Sequence, residues 1–385
     1  MKRIQPMIAA FGLLLFAQTG QAQWTPAKRL TWNSGFSYFP TIAVDSSGNL
    51  HVVWQDDTPG NYEIYHKKSL DGGATWATSR NLTWNSGGSY SPSTAVDSSG
   101  NIHVLWSDST PGNSEIHYRK SSDGGATWGK IRRLTWTSGD SGYPAVAVDP
   151  SGNLHFVWTD YTSGNDEIYY KKSTDGGTTW STGKRLTWTS VASWRSALAV
   201  DSSGNLHLAW CEYIDPSHSD IYYEKSTDGG ATWTPRKRLT LTSASSLVPA
   251  IAAAGYDVLH VVWRDSASGN WEIYYVNSAD GGTTWSAGKR LTWTSGASIN
   301  PHIAVDSTSN LHVVWSCEIL NGGAYIAYKK SPDGGTTWTS AQKLTWVPGL
   351  PSQPVIAIDS YDNLHVVFYV ATGGNSEIYY KKYIK

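Results

Sequence analysis

The stretch Asn49-Leu50-His51-Val52-Val53-Trp54 decides the fold, because it returns six more times along the chain. Its histidine stands at 51, 103, 155, 207, 260, 312 and 365, in steps of 52 or 53 residues. Self-similarity at a fixed period of this length marks a repeat architecture. Seven units fill residues 23–385 and leave no room for another domain.

Each unit reads as four short strands bounded by turn chemistry. In the first, Thr41-Ile42-Ala43-Val44 is strand A, Ser46-Ser47-Gly48-Asn49 a tight turn, and 50–55 strand B. Thr58-Pro59-Gly60-Asn61 presets a second turn, 63–68 is strand C, and Asp71-Gly72-Gly73 is a third turn. Residues 28–32, and later copies such as 81–84, form strand D. Four-stranded antiparallel units at this period predict an all-β, seven-bladed β-propeller. The turn motif occurs six times, at Asp71, Asp123, Asp175, Asp228, Asp280 and Asp333, and the chain stops three residues after its seventh strand C. The missing strand D is at the other end, in 24–32. The N-terminal strand is therefore expected to complete the last blade and remove a free edge.

Nineteen of the 21 tryptophans follow the repeat. They end the turn motif (Trp24, Trp76 and copies), strand B (Trp54 and copies) and strand D (Trp32, Trp84, Trp136, Trp188, Trp293, Trp346). The reading is inter-blade packing, each ring burying roughly 200 Å², and not sugar platforms. Only Trp194 and Trp271 lie outside the repeat.

Composition agrees. The 385 residues hold 30 Lys+Arg against 31 Asp+Glu, with 16% charged residues, 22 Tyr and 37 Gly. Such balance argues against a nucleic-acid partner bound by bulk charge. At the N-terminus Lys2 and Arg3 precede an apolar run, 7–17, and Gly20-Gln21-Ala22 offers small residues at a cleavage site. Residues 1–22 read as a secretory signal cleaved after Ala22, giving a secreted or periplasmic protein. The run is too short to span a bilayer comfortably, so no membrane insertion is expected. No cofactor is expected, and a monomer is.

Ser69-Leu70-Asp71-Gly72-Gly73-Ala74-Thr75-Trp76 and its five copies resemble the Asp-box, or bacterial neuraminidase repeat, of sialidase-like propellers. That resemblance implies that the boxes are structural hairpin elements on the face opposite the active site. It also implies, for a sialidase, an arginine triad, a Tyr–Glu nucleophile pair, an acidic Asp and an Arg-Ile-Pro motif. Here the corresponding segments read Ser37-Tyr38-Phe39-Pro40, Ser89-Tyr90-Ser91-Pro92 and Ser141-Gly142-Tyr143-Pro144, without arginine. Only Ser193-Trp194-Arg195-Ser196 has one. Arg29, Arg133, Arg185, Arg238 and Arg290 are copies of a strand D position. The family usually has six blades, and this chain counts seven.

A box with one carboxylate and two glycines lacks the alternating oxygen ligands of a calcium loop, and the seven strand B histidines repeat too regularly for one catalytic site. No metal is expected from either. Function is placed on the face of the B–C and D–A loops, around the mouth of the central channel. The acids two residues past the strand B Trp (Asp56, Asp108, Asp160, Glu212, Asp265) face those opening strand C (Glu63, Glu115, Glu167, Glu272). They could accept from sugar hydroxyls, although a solvated hairpin end is the preferred reading. Blade-specific departures gather in the later units: Trp194, Arg195, Cys211, Glu212 and His218; Arg264 and Trp271; Asn300, His302, Cys317 and Glu318; Gln353 and Tyr369. With Tyr38 and Asp56 they make the candidate ligand site, and Arg195 with Glu212 and Glu318 forms the one candidate clamp or catalytic set. The leading expectation is a secreted, non-catalytic propeller that binds glycan or an extracellular protein. The alternatives are an exo-acting sialidase-like glycoside hydrolase and an extracellular structural protein. Cys211 and Cys317 have a whole blade between them, beyond the reach of a disulfide, and are expected as free thiols near the mouth.

Overall fold

The computed structural model describes residues 23–215, 217–320 and 322–385; the signal-sequence expectation lies outside them. Seven antiparallel sheets follow one another along the chain, each running in order from strand A to strand D. In the first blade these strands are Ser37–Val44, Leu50–Asp56, Glu63–Ser69 and Arg80–Asn81. In the seventh, Leu350–Ile358, Leu364–Ala371 and Ser376–Ile384 are joined by Gln23–Trp24 and Lys28–Arg29. Both N-terminal pieces pair with the last strand, in the register Gln23↔Ile384 and Lys28↔Tyr380. The ring closes as the repeat predicts, and the strands A touch from each blade to the next all the way round.

Two strand boundaries differ from expectation, each for a local reason. Strand A starts at Ser37, four residues early, because a bulge between Tyr38 and Thr41 lets the ladder continue beyond it. The bulge residue, Phe39, has φ 50 and precedes Pro40, which cannot donate a ladder hydrogen bond. Strand D is only two residues long, because Thr31 replaces a backbone acceptor with its side chain: Ile378 N–H donates to Thr31 Oγ1 at 2.9 Å. Thr83, Thr135 and their copies do the same. The chain leaves the sheet there, and the tryptophan that follows swings outward.

That departure overturns part of the tryptophan reading. The six strand B indoles are buried in the core, at 0–2% exposure. The box tryptophans lie edge-on against a tyrosine of the preceding blade, as Trp233 does on Tyr170 (5.4 Å), except Trp128, which meets His66. The six that follow strand D are instead 68–76% exposed and pack nothing between blades.

Neighbouring blades are joined by a repeated strap. In the third blade Asp149 Oδ2 holds His155 Nε2 at 3.1 Å, and His155 Nδ1 meets the Tyr170 hydroxyl at 2.8 Å. That hydroxyl reaches the carbonyl of Gly229, in the Asp box of the fourth blade, at 3.1 Å. Within a box the Asp is a turn brace, as read from its sequence. Asp71 Oδ1 accepts from Thr75 N–H (2.8 Å) and from the Ser69 hydroxyl (2.7 Å). The Thr75 bonds hold its carboxyl down at about 2. The second box glycine has a further reason beyond its positive φ. A Cβ on Gly230 would lie 2.1 Å from the Tyr170 hydroxyl. The strand B histidines are not alike in every blade, however. His51 meets His66 instead of a tyrosine, and His260 has Tyr275 but no carboxylate.

Both cysteines are buried and unbridged.

Gly230→Ala is expected to destabilise the fold by roughly 3 kcal/mol or more, through clash and strained φ together. Gly152→Ala, also at positive φ but in open space, is expected to cost about 1 kcal/mol; equal losses in denaturant melts would refute the close-approach argument. Burial holds His51, His260, His312 and His365 at about 4, against 6.5 when free. The unfolded chain therefore binds more protons between these values, so their contribution is complete above pH 6.5 and is lost as pH falls toward 4. Melting temperature should be flat above neutrality and drop through that window, and a profile that rises there would contradict the assignment. Thiol titration should count two groups after denaturation without reductant and show both slow in the native protein; a count of zero in monomer would overturn the blade register.

Candidate functional site

The seven bulges face the axis. Phe39, Ser91, Tyr143, Arg195, Val248, Asn300 and Gln353 all have φ between 49 and 55 and, with the prolines after six of them, line a channel cavity of about 290 Å³. A repeat that keeps the backbone and varies this one side chain in every blade offers a surface of seven different groups. In three blades the strand B residue just past the tryptophan braces the next blade's bulge. Gln55 Oε1 accepts from Ser91 N–H (2.8 Å), Cys211 Sγ from Val248 N–H (3.2 Å) and Ser316 Oγ from Gln353 N–H (3.0 Å).

Not every polar atom here is satisfied. Ser107 Oγ, Thr159 Oγ1, Arg195 Nε, Ser196 Oγ, Arg264 Nε and Gln353 Oε1 are buried without a protein partner. Buried polar groups normally have partners; Arg195, Ser196 and Gln353 line the channel, and their unpaired atoms point to a polar occupant there.

The cationic side of the mouth is built by the fourth and fifth blades. The Arg195 guanidinium lies over Trp194 (5.0 Å) and Tyr143 (5.5 Å), and Trp194 stacks on Tyr213. The Arg264 guanidinium lies over Trp271 at 4.6 Å. Among the described residues neither arginine has a carboxylate within ion-pair distance. Burial, then the charge of Arg195, lowers the pKa of Arg264. Cys211 lies buried beside both, its thiol pushed up to about 12 by burial, and is a neutral wall rather than a nucleophile. Glu318 is exposed, and its charge is felt by Arg264 and by Tyr369. Tyr369 packs edge-on against Tyr38 (4.8 Å), which stacks on Phe36. Tyr38, Trp194, Arg195, Arg264, Trp271, Glu318 and Tyr369 thus surround one mouth.

Other candidates are elsewhere. Glu212 does not face Arg195. Trp194 pairs with Cys211 in the ladder, so Glu212, one residue on, points to the opposite face of the sheet. There it binds Arg236 at 2.5 Å, and the Arg195–Glu212–Glu318 set is not assembled. Asp56 is neither a sugar acceptor nor a solvated hairpin acid. It is 1% exposed and bonded to Ser37 Oγ (2.7 Å), Trp54 Nε1 (3.2 Å) and Thr58 N–H (3.0 Å). Glu63, Glu115, Glu167 and Glu272 are buried in the same way. His218 stays in its own hairpin, 3.3 Å from Asp220. His302 lines the channel itself and is held at about 4 by burial, so it is neutral. Cys317 occupies the Asp56 position of the sixth blade, which leaves Trp315 Nε1 without a partner. Sequence reasoning passed over Tyr143, Tyr213, Ser107 and Thr159. For Tyr143, Ser107 and Thr159 the signal was variation from blade to blade at the bulge residue and at the position after the strand B tryptophan, and for Tyr213 it was variation two residues further on.

The BNR repeat-containing family (BNR_4) matches residues 89–253, three blades and most of the next inner strand. A search of curated proteins found no sequence relative. Among solved structures, a protein of unknown function from Dyadobacter fermentans is 13% identical with a TM-score of 0.62, covering 94% of this chain and 98% of that one. A polysaccharide lyase, an ulvan lyase bound to -[GlcA(1-4)Rha3S]-, is 11% identical with a TM-score of 0.62 over 91% and 97%. The NanB sialidase of Streptococcus pneumoniae is 14% identical with a TM-score of 0.52 over 91% and 68%. At these identities the likeness is one of fold. Six Asp boxes and a closed ring of seven four-stranded blades make this chain a β-propeller, similar over residues 89–253 to the BNR repeat-containing family and similar in fold to sialidases.

Proposed function

We propose that the protein binds an acidic glycan at the channel mouth, without turning it over, and does so as a secreted protein. The observation that carries the reading is the pair Arg195 and Arg264. Each is stacked on an aromatic ring, neither has a carboxylate partner, and both keep a buried Nε free. Guanidinium groups recognise carboxylate and sulfate by directed hydrogen bonds. Trp194 and Trp271 supply flat faces beside them for a sugar ring. Two structural neighbours are a sialidase and a lyase bound to an acidic saccharide, which fits a glycan ligand on this kind of scaffold. The non-catalytic part rests on the chemistry present. Two arginines stand where a sialidase site would need three, and Glu212 is committed to Arg236.

One observation favours the hydrolase alternative. Glu318 is an exposed carboxylate that shares a pocket lining with Tyr369, and its charge is felt by Arg264.

Calorimetric titration with uronate- or sulfate-bearing oligosaccharides and their neutral counterparts tests the proposal. Binding of the acidic set should weaken as salt is added, and Arg195→Ala or Arg264→Ala should each weaken it about ten- to hundred-fold. Equal affinity for neutral sugars, or unchanged binding in both variants, would overturn it. Release of product from a fluorogenic glycoside panel, lost in Glu318→Gln, would replace binding with hydrolysis.

A further inference from the structure

The six tryptophans that leave strand D do not fit the mouth or the core. Trp32, Trp84, Trp136, Trp188, Trp293 and Trp346 stand at the same place in six of the seven gaps between blades, with about seventy per cent of each side chain in solvent. Exposing one indole costs little, but repeating it in every gap but one is a pattern that packing does not explain.

The surroundings of Trp32 show the arrangement most fully. Trp32 leaves the seventh blade and faces the first, where Lys67 Nζ lies 5.3 Å from its ring and donates to the Leu30 carbonyl at 2.6 Å. The cleft beside it has a volume of about 340 Å³, and its lining includes Trp32, Asn33, Thr58, Tyr65, Thr78 and Ser79. Tyr65 lies stacked on the buried Trp54 and gives the cleft an aromatic floor. Asn33 Oδ1, in the same lining, is a buried acceptor without a partner. The pattern recurs with Lys171 against Trp136, Lys329 against Trp293 and Lys381 against Trp346. Between the third and fourth blades Glu224 takes the lysine's place, and Arg185 alone lies over Trp188, at 4.3 Å. In the seventh gap tryptophan and cation are lost together, as Leu241 and Val276. Trp188 persists where the lysine is replaced, so the indole is the constant part of the arrangement in these six gaps.

The charges in these clefts are already committed. Lys67 is 7% exposed and bonded to a carbonyl, and Arg29 pairs with Glu377. Little free charge is left for a polyanion. Each indole is isolated in polar surroundings, which does not suit a lipid surface. An exposed indole beside hydroxyls and an amide oxygen suits a pyranose ring that presents C–H groups on its face and hydroxyls on its edge. A β-linked, gluco-configured sugar has all its hydroxyls equatorial and presents such a face on every residue.

We propose that the six exposed inter-blade tryptophans are platforms for a neutral β-linked glucan, separate from the mouth, and that the protein holds such a polymer by avidity over several blades.

Affinity electrophoresis in gels containing soluble mixed-linkage β-glucan tests this, with vesicle sedimentation alongside. Wild-type protein should be retarded. The triple variant Trp32→Ala/Trp136→Ala/Trp293→Ala, altered only at exposed positions, should keep its melting temperature and lose roughly ten-fold or more in apparent affinity. Arg195→Ala/Arg264→Ala should be retarded like wild type, which separates this result from the fate of the mouth. Leu241→Trp/Val276→Lys should be retarded more strongly, and this gain does not depend on the triple variant folding. An unretarded wild type, or equal retardation of wild type and a folded triple variant, would overturn the proposal. So would binding to phosphatidylcholine/phosphatidylglycerol vesicles that the triple variant loses.

Discussion

The structure depends on the contact of a tyrosine hydroxyl with the backbone of the next blade's Asp box. A four-stranded blade cannot bury both of its faces alone, so stability must come from its neighbours. The Asp–His–Tyr chain does this by fixing a hydroxyl at the end of strand C, where the following box can close on it. Tyr170 on Gly229 and Trp233, Tyr223 on Gly281 and Trp285, and Tyr275 on Gly334 and Trp338 are the same joint repeated. At the seam Tyr380 reaches Gly72, 308 residues away, with the same geometry. A box motif that looks local in sequence is therefore half of a long-range contact. Its second glycine is shaped by a residue one whole repeat earlier.

Because these joints sit at the Asp-box end, they leave the other end of the ring free to vary. The bulges there are held by backbone, and in three blades also by a strand B side chain, so the residue at each tip can change without disturbing the blade. This arrangement explains how Arg195 can replace an uncharged residue in one blade only, and how Arg264 can appear at a position occupied elsewhere by Gln55, Ser107 or Thr159. The cost includes buried polar atoms with no protein partner at Arg195, Ser196 and Gln353, where a ligand in the channel would satisfy them.

Much of this was legible in the chain. Period, turn chemistry and the displaced strand D gave blade number and closure, since each follows from spacing alone. The site was legible only in part. Arg195, Arg264, Trp194, Trp271 and Glu318 were identifiable as departures from the repeat, because a shared site needs side chains that are not shared. Glu212 misled because counting residues past the tryptophan does not reveal which face of a strand a side chain takes, and the ladder puts Cys211 toward the mouth instead. The outer tryptophans misled for another reason. Their exposure depends on Thr31 and its copies taking an acceptor's place in the sheet, which ends strand D three residues early. Hydrophobicity and period cannot register that substitution.

The seam has a consequence for how the chain is made. Arg29 and Glu377, which meet there, are 348 positions apart. Loop-closure entropy grows only with the logarithm of length, so joining them costs about 2 kcal/mol more than closing a 50-residue loop. In time the demand is different. During synthesis the first strand emerges long before the strand it must pair with, and it waits, unpaired, until the last blade arrives. Six blades can grow in order, each docking on the one before, while an unmatched edge persists at both ends. The finished ring has no such edge, but every molecule passes through a stage that does. Assembly in a crowded compartment therefore favours a slow supply of chains, or a companion that covers the waiting strand until its partner is complete.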